Sequence, residues 1–211
     1  MAYPALISPC LRRARKGAAM GVTAWYFPQA AASTDYAGGP FWRNPERVYN
    51  TDPDFYADVD VGPTSGIETT DRLTATNFAP SFPEGALLRG VEARVRVGIL
   101  ADTNTHVKDH LAEFRVASGS VMVVTSTAEW GIYEMRTYGG ATSLPSINGV
   151  PLTIEEVEDA GFGFSIIGEN LLDTTDTIRV FTIEIRFHYE LSITSNATLP
   201  GLTGKAHHRV N

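Results

Sequence analysis

The sequence predicts an all-β protein, an antiparallel β-sandwich or jelly roll with an extended N-terminal arm and one short helical turn. Three observations predict this fold. Segments 91–99 and 181–191 alternate between apolar and polar residues, as strands with one buried and one solvated face do. Other short β-like segments are separated by turn residues at the spacing of a sandwich. A helix-start signature occurs at Thr153, close to turn residues that keep the helix short.

Residues 1–53 are predicted to form the arm and an irregular, aromatic-rich segment. Gly, Pro, Asn and Asp between about residues 21 and 66 disfavour long helices and indicate turns with short strands. The same stretch is rich in aromatic residues, among them Trp25, Tyr26, Phe27, Phe41, Trp42, Tyr49, Phe55 and Tyr56. Because aromatic side chains gain from burial, we expect the segment to wrap its own domain or to dock on a partner.

Residues 54–193 are predicted to form the sandwich body, and residues 194–211 a C-terminal tail. The first alternating strand has a predicted buried face of Val91, Ala93, Val95, Val97 and Ile99. The second has a predicted buried face of Phe181, Ile183, Ile185, Phe187, Tyr189 and Leu191. Shorter predicted strands span 54–61, 69–78, 111–116, 120–125, 129–137 and 162–168.

The segment "PLTIEEVEDAGFGFSIIG" (151–168) is rich in both carboxylates and glycines. Thr153 and Glu156 have the spacing of a capping box, and Gly161 is well placed to end the helical turn. The segment has no GxGxxG or GK[ST] pattern. We therefore interpret its carboxylates as structural and solvated, and not as an acid/base or phosphate site.

The charge distribution separates the arm from the body. Arg12, Arg13, Arg15 and Lys16 are the only charged side chains before Asp35, which leaves 13 basic against 24 acidic side chains, a net charge of −11, in the remainder. A body this acidic argues against a general nucleic-acid binder. The basic arm can lie on an acidic neighbouring copy, on another partner or on a phosphate backbone, or it can be a solvated tail. The predicted partner-binding residues are Arg12, Arg13, Arg15, Lys16, Trp25, Tyr26, Phe27 and Trp42.

Composition also limits the class of protein. The single Cys10 cannot form an intrachain disulfide or a multi-cysteine metal cage. No apolar run approaches the roughly 20 residues that cross a bilayer, so we predict no membrane partner. At the N-terminus the apolar stretch precedes the basic cluster, the reverse of a secretory signal, and we expect this segment to be retained.

The sequence signals for catalytic and metal-binding residues are unspecific. His106, Asp109 and His110 could hold a metal, but their context favours a polar loop running into a strand. We expect His188 to take part in cross-strand hydrogen bonding. A glycosidase could use a carboxylate pair from Glu92, Glu184 and Glu190, yet cross-strand salt pairs with arginines explain these residues. No GxSxG elbow is present. We predict no catalytic, cofactor or metal site and a non-enzymatic protein.

Several short motifs follow one another in an order that resembles that of a known group of proteins. It runs from "FAPSFPEGALLRGVEARVRV" (78–97) through a polar loop with Asp109, the "AEW" strand and "GGATSL" to a short helical turn, "GFGFSI" and a final strand ending in "HYEL". This layout resembles β-sandwich structural proteins that tailed bacteriophages encode for virion heads, tails or fibres. The resemblance covers about residues 54–193. It implies a virion location, assembly in the host cytoplasm, and contacts with other virion proteins and with copies of itself.

Two functions follow as expectations. The first is a non-enzymatic virion component that fastens or decorates a head or tail. The alternative is a carbohydrate-binding module of a phage adsorption apparatus, with exposed aromatic residues stacking on sugars. A glycan is therefore a predicted partner of the second function, whereas no specific nucleic acid is predicted for either.

Overall fold

The chain folds into two antiparallel sheets that pack face to face as a β-sandwich, which confirms the predicted fold class. This computed structural model describes residues 17–49, 52–62, 68–100, 107–119, 121–124, 128–147, 149–171 and 175–193. The first seven strands are β1 (Gly17–Val22), β2 (Ala30–Thr34), β3 (Ala57–Val61), β4 (Glu68–Thr69), β5 (Arg72–Thr76), β6 (Ala86–Leu100) and β7 (Val107–Arg115). The remaining strands are β8 (Val121–Val123), β9 (Tyr133–Gly139), β10 (Ser146–Ile147), β11 (Val150–Pro151), β12 (Gly163–Asn170) and β13 (Asp176–Ile193).

Each sheet is named here after one of its central strands. The β13 sheet has the order β1-β13-β6-β9, and β3 also pairs with β13. The β12 sheet has the order β2-β5-β12-β7-β8, and β4 also pairs with β12. Strands β10 and β11 form a separate two-stranded pair. All of these pairings are antiparallel, as the alternating segments predict.

The core lies between the two sheets. The inward residues of β6 are those predicted, Val91, Ala93, Val95, Val97 and Ile99. Aromatic rings join the sheets across the core: Tyr138 of β9 lies 5.1 Å from Phe164 of β12, and Phe162 lies 5.9 Å from Phe187 of β13. Contacts of this kind account for much of the stability of a sandwich, because large side chains from both inner faces interdigitate.

A β-bulge changes one predicted face. In the pairing of β13 with β6, the register passes from Val180 opposite Val97 to Thr182 opposite Arg96, so Phe181 is an extra residue. Phe181 was predicted to share the core face of Ile183, and this is wrong. Its ring lies instead over Gly98 on the outer face, where a Cβ added to Gly98 would be 2.8 Å from ring atom Cε2.

The N-terminal region belongs to the sandwich from residue 17 onward. Strand β1 pairs with the C-terminal half of β13, and β2 pairs with β5 of the other sheet. The predicted division into an arm at 1–53 and a body at 54–193 therefore needs correction, because residues 17–49 supply one edge to each sheet. Trp42 in this stretch is buried within its own domain, which is the first of the two outcomes expected from the sequence, whereas Phe27 and Phe41 remain exposed.

The short helix α1 (Ile154–Glu158) begins as its sequence predicts. The Thr153 hydroxyl accepts a hydrogen bond from the Glu156 backbone N–H at 3.3 Å, and the Glu156 carboxylate accepts one from the Thr153 N–H at 2.8 Å. These reciprocal bonds satisfy two backbone donors that a helix start leaves free. A 3₁₀ helix spans Pro45–Val48. Within the described residues, no helix is long and apolar enough to cross a membrane.

Candidate functional site

The predicted partner-binding residues have different surroundings. Arg12, Arg13, Arg15 and Lys16 lie outside the described residues. Tyr26 forms a bridge with Ile185 of β13, and its ring lies 6.2 Å from that of Phe187. Phe27 is 37% exposed. Tyr26 thus joins its own sandwich, whereas Phe27 remains available at the surface.

Trp42 is the clearest correction among these residues. Its side chain is 2% exposed, and its indole Nε1–H donates a hydrogen bond of 2.8 Å to the Asp71 carbonyl oxygen. The Trp42 backbone N–H also donates to the Ser33 hydroxyl at 3.0 Å. A buried indole with a satisfied N–H stabilises the interior and offers no surface to a partner. Trp42 is therefore a core residue of this fold.

Trp25 lies on the outer face of the β13 sheet, above a network of charged side chains. The guanidinium carbons of Arg94 and Arg186 are 4.2 Å and 4.5 Å from the centre of its ring. Arg94 donates to Glu184 at 2.9 Å, and Arg186 makes two bonds of 2.9 Å to Glu92. Each of these arginines is thus both paired with a carboxylate and stacked on an indole, which holds its side chain in place.

Further along the same face, three aromatic rings stand in a row with an arginine at each end. We call Arg179, Tyr56, Phe181, Tyr133 and Arg96 the aromatic ladder. Arg179 lies 4.2 Å from the Tyr56 ring centre, Phe181 lies 5.6 Å from Tyr56 and 4.9 Å from Tyr133, and Arg96 lies 5.4 Å from Tyr133. The rings meet edge to face, which is a favourable arrangement for aromatic pairs.

The ladder combines a buried floor with an exposed ring. Phe181 is 7% exposed, whereas Tyr133 is 50% exposed. The Arg96 Nη1–H donates a hydrogen bond of 2.9 Å to the Tyr133 hydroxyl. The exposed ring is therefore supported from beneath by Phe181 and fixed at its hydroxyl by Arg96. A ring held in this way loses little conformational entropy when a ligand stacks on it.

Sequence reasoning did not find the ladder. Its members come from β6, β9, β13 and the segment before β3, and only the three-dimensional pairing of these strands brings them together. The bulge at Phe181 also reverses the face that strict alternation predicts for that residue. Strict alternation does put Arg96 on the polar face, since it lies between the predicted buried residues Val95 and Val97.

Only part of the candidate metal trio lies within the described residues, and its two described members, Asp109 and His110, have other partners. Asp109 points into the core, where its carboxylate accepts hydrogen bonds from Trp130 Nε1–H at 2.7 Å and from the Tyr138 hydroxyl at 2.9 Å. Burial and the neighbouring Asp109 raise the pKa of Tyr138 well above its usual value. His110 lies at a bulge and contacts the Tyr36 hydroxyl at 3.0 Å, and His106 lies outside the described residues. Residues 107–110 are part of β7, so the predicted polar loop is wrong for them.

The remaining candidate residues have structural partners. Glu92 also contacts the His188 Nε2 atom at 3.1 Å, which is the cross-strand contact predicted for His188. Glu190 accepts a hydrogen bond of 2.8 Å from Arg89. Among the described residues, no group of three or more His, Cys, Asp or Glu side chains is arranged to hold a metal ion.

Two surface clefts lie near α1. One of about 220 Å³ is lined by Val116, Ala117, Ser118, Glu155, Glu156 and Asp159. The other, of about 490 Å³, is lined by residues 86–89, Leu144 and 151–155. Within the first cleft, Glu156 and Asp159 already accept backbone hydrogen bonds from Thr153 and Gly161. These carboxylates are therefore held in structural roles, as predicted from the capping box.

Comparison with known proteins gives a likeness of fold alone. No protein-family model and no curated protein sequence matches the chain. Solved structures with a similar fold include the CBM22-1 xylan-binding domain from Paenibacillus barcinonensis Xyn10C (11% identity, 77% of this chain, 95% of that chain, TM-score 0.35). The family 11 carbohydrate-binding module of the Clostridium thermocellum cellulase Lic26A-Cel5E is another (10%, 87% and 91%, 0.28).

A third similar structure is the Stig cyclase Fisc from Fischerella sp. TAU (13% identity, 84% of this chain, 78% of that chain, TM-score 0.34). These structures include both binding modules and a cyclase. The class that the fold defines is the β-sandwich. TM-scores this low carry no argument about function, so the function has to be argued from the surface of this chain.

Proposed function

We propose that this protein is a non-enzymatic binding module that takes a glycan on the outer face of the β13 sheet. The observation that carries the proposal is the aromatic ladder, with the half-exposed Tyr133 ring supported by Phe181 and fixed by Arg96. Sugar rings have an apolar face that stacks on aromatic side chains and hydroxyls that bond to fixed polar groups. The ladder offers both kinds of contact.

The charged network under Trp25 extends this surface. Arg94, Arg186, Glu92 and Glu184 are held by mutual hydrogen bonds, so their orientation does not have to be established when a ligand binds. Thr137 and Met135 of β9 are exposed beside them on the same face. An open sheet face with paired charges and an exposed ring suits an extended chain of sugars better than a small enclosed ligand.

A glycan array followed by calorimetry tests the proposal. Tyr133→Ala should weaken binding of the best array ligand by about tenfold or more, because it removes the stacking platform. Phe41→Ala is the matched control, since Phe41 is 69% exposed and makes no ring contact with the ladder. Equal losses for both variants, or an array on which no glycan binds, would contradict the proposal.

The virion role remains a prediction from the sequence. It rests on the resemblance of residues 54–193 and on the basic segment 12–16, which lies outside the described residues. A glycan-binding module of a phage adsorption apparatus would combine the two functions. Detection of the chain in purified particles by mass spectrometry, with its position in a cryo-EM map, would test that location independently of any sugar.

A further inference from the structure

The two arginines of the aromatic ladder differ from the other arginines on this face. Arg94 and Arg186 each pair with a glutamate. Arg96 contacts the Tyr133 hydroxyl and ring, and Arg179 stacks on Tyr56, but within the described residues neither has a carboxylate within ion-pair distance. The Arg179 Nε atom is also buried without a hydrogen-bond partner. Two positive charges thus lie at the ends of a row of aromatic rings without an anionic partner in the part of the chain that the structure describes.

We infer that the ligand of this face is an acidic glycan, whose carboxylate or sulfate groups pair with Arg96 and Arg179 while its sugar rings stack between them. The inference rests on the proposed function and names its substrate class. Guanidinium groups present a planar set of donors that matches the oxygens of a carboxylate or sulfate. Stacking on Tyr133 and Tyr56 already orients the two guanidinium groups, so less entropy is lost when an anion binds.

Two carboxylates of β3, the strand that follows Tyr56, do not neutralise Arg179. Asp58 lies opposite Arg179 in the register of β3 and β13, but its carboxylate bonds to Arg43. Asp60 bonds to Arg43 and to the Thr177 hydroxyl, and these bonds lower its pKa. Both carboxylates are therefore occupied, and a ligand anion remains a better partner for Arg179.

Single-stranded nucleic acid also stacks on aromatic rings and pairs with arginine, so it is the main competing ligand class. It requires a continuous basic groove along its backbone, whereas the outer face between the ladder and His188 contains Glu92 and Glu184. The remainder of the chain after residue 34 also carries a net charge of −11. Widely spaced anionic groups on a sugar chain fit two separated cations better than one charge per nucleotide does.

Calorimetry with the full chain on defined polymers tests the inference. The probes are polygalacturonate for carboxylates, heparin for sulfates, dextran as a neutral polymer and oligo(dT) as a nucleic acid. We expect binding to polygalacturonate or heparin at least tenfold tighter than to dextran and oligo(dT). Raising NaCl from 50 to 500 mM should weaken the acidic polymer several-fold, because salt screens exposed charges.

Single substitutions then test whether Arg96 and Arg179 bind the anionic groups of the ligand. Arg96→Gln and Arg179→Gln should each weaken binding of the acidic polymer about tenfold, and by more than they weaken binding of any neutral array glycan, because each loses charge-assisted hydrogen bonds to the anionic groups. Arg89→Gln is the matched control, with the same change in charge at a surface pair with Glu190 outside the ladder. Arg96→Lys keeps the charge, so it should lose less affinity than Arg96→Gln. This variant also separates a lost charge from a damaged fold.

Three results would contradict the inference, and the experiment distinguishes them. Neutral glycans that bind as tightly as acidic ones, with Arg96→Gln and Arg179→Gln equal to Arg89→Gln, would overturn the inference and leave the glycan proposal intact. Tighter binding of oligo(dT) than of either acidic polymer would overturn the inference in favour of a nucleic acid. An absence of binding to every polymer and every array glycan would overturn both the inference and the proposed function.

Discussion

Asp176 illustrates at the residue scale how a buried charge lowers stability. It is the first residue of β13 and is 4% exposed, and its Oδ2 atom is buried without a hydrogen-bond partner in the part of the chain that the structure describes. Burial raises the pKa of this carboxyl above its usual value, because removal from water penalises the charged form. The folded state therefore holds the Asp176 proton to a higher pH than the unfolded state does.

The sign of the pH effect follows from this shift. Between the unfolded pKa, about 3.9, and the raised folded pKa, the folded state binds more protons, so stability falls as pH rises through that window. Asp176→Asn removes the ionisation and should raise the free energy of unfolding at pH 7, by on the order of 1 kcal/mol. Urea unfolding of both proteins at pH 7 and at about pH 2.5 measures the difference.

The measurement at low pH is the control of this experiment. Well below the unfolded pKa, at about pH 2.5, the wild-type carboxyl is protonated in both states, so the advantage of Asp176→Asn should largely disappear. Asp54→Asn provides a second control, because Asp54 is exposed and has the same chemistry. A variant that is less stable than wild type at pH 7 would show that the Asp176 charge contributes a favourable contact.

At the scale of the element, β13 organises the molecule because it is paired along both sides. It pairs with β6 on one side, and on the other with β1, Tyr26, Tyr49 and β3 in turn. Strict alternation made this strand the clearest prediction from the sequence, and Ile183, Ile185 and Phe187 are fully buried as expected. A strand with neighbours on both sides has satisfied backbone groups, and its outer face can carry a fixed array of side chains.

The polar face of β13 differs from the prediction in its degree of burial. Glu184 was expected on a solvated face, yet it is 1% exposed and accepts a hydrogen bond from Arg94 beneath Trp25. Alternation identified the face correctly, but no pattern within β13 showed that Trp25 would cover it. The bulge at Phe181 was hidden for a similar reason, since bulges depend on how two strands pair and not on the composition of one.

This burial predicts a measurable cost for Glu184→Ala. The substitution leaves Arg94 without its carboxylate under an indole, and we expect a loss of about 1–3 kcal/mol in the free energy of unfolding. Glu190→Ala on the same strand removes the partner of a more exposed arginine, Arg89, and should cost under about 1 kcal/mol. Chemical melts of the two variants give the comparison. Similar small losses would mean that Trp25 does not shield the Arg94 pair.

At the scale of the whole molecule, the N-terminal region completes both sheets. The frequent Gly and Pro residues between about positions 21 and 66 predict turns and short strands, and β2 and β3 are such strands. The same composition favoured the interpretation of residues 1–53 as an arm with an irregular segment. Sequence alone could not place β1 and β2, because every residue of these strands pairs with a residue at least 38 positions away along the chain. Long-range pairing of this kind leaves little trace in local composition.

Two truncations separate an arm from a structural edge. Deleting residues 1–16 leaves every described strand in place, so the chain should remain folded, with a melting temperature close to that of wild type. Deleting residues 1–34 also removes β1 and β2, which exposes the edges of β13 and β5. We expect this shorter chain to unfold at a markedly lower temperature or to aggregate, because unpaired strand edges recruit other chains. Circular dichroism melts and size-exclusion chromatography measure both effects.

The contradicting outcome is a chain lacking residues 1–34 that melts cooperatively at the wild-type temperature and remains monomeric. It would show that the two edge strands contribute little to the fold. The N-terminal region would then be an arm on a complete body, as the sequence predicts.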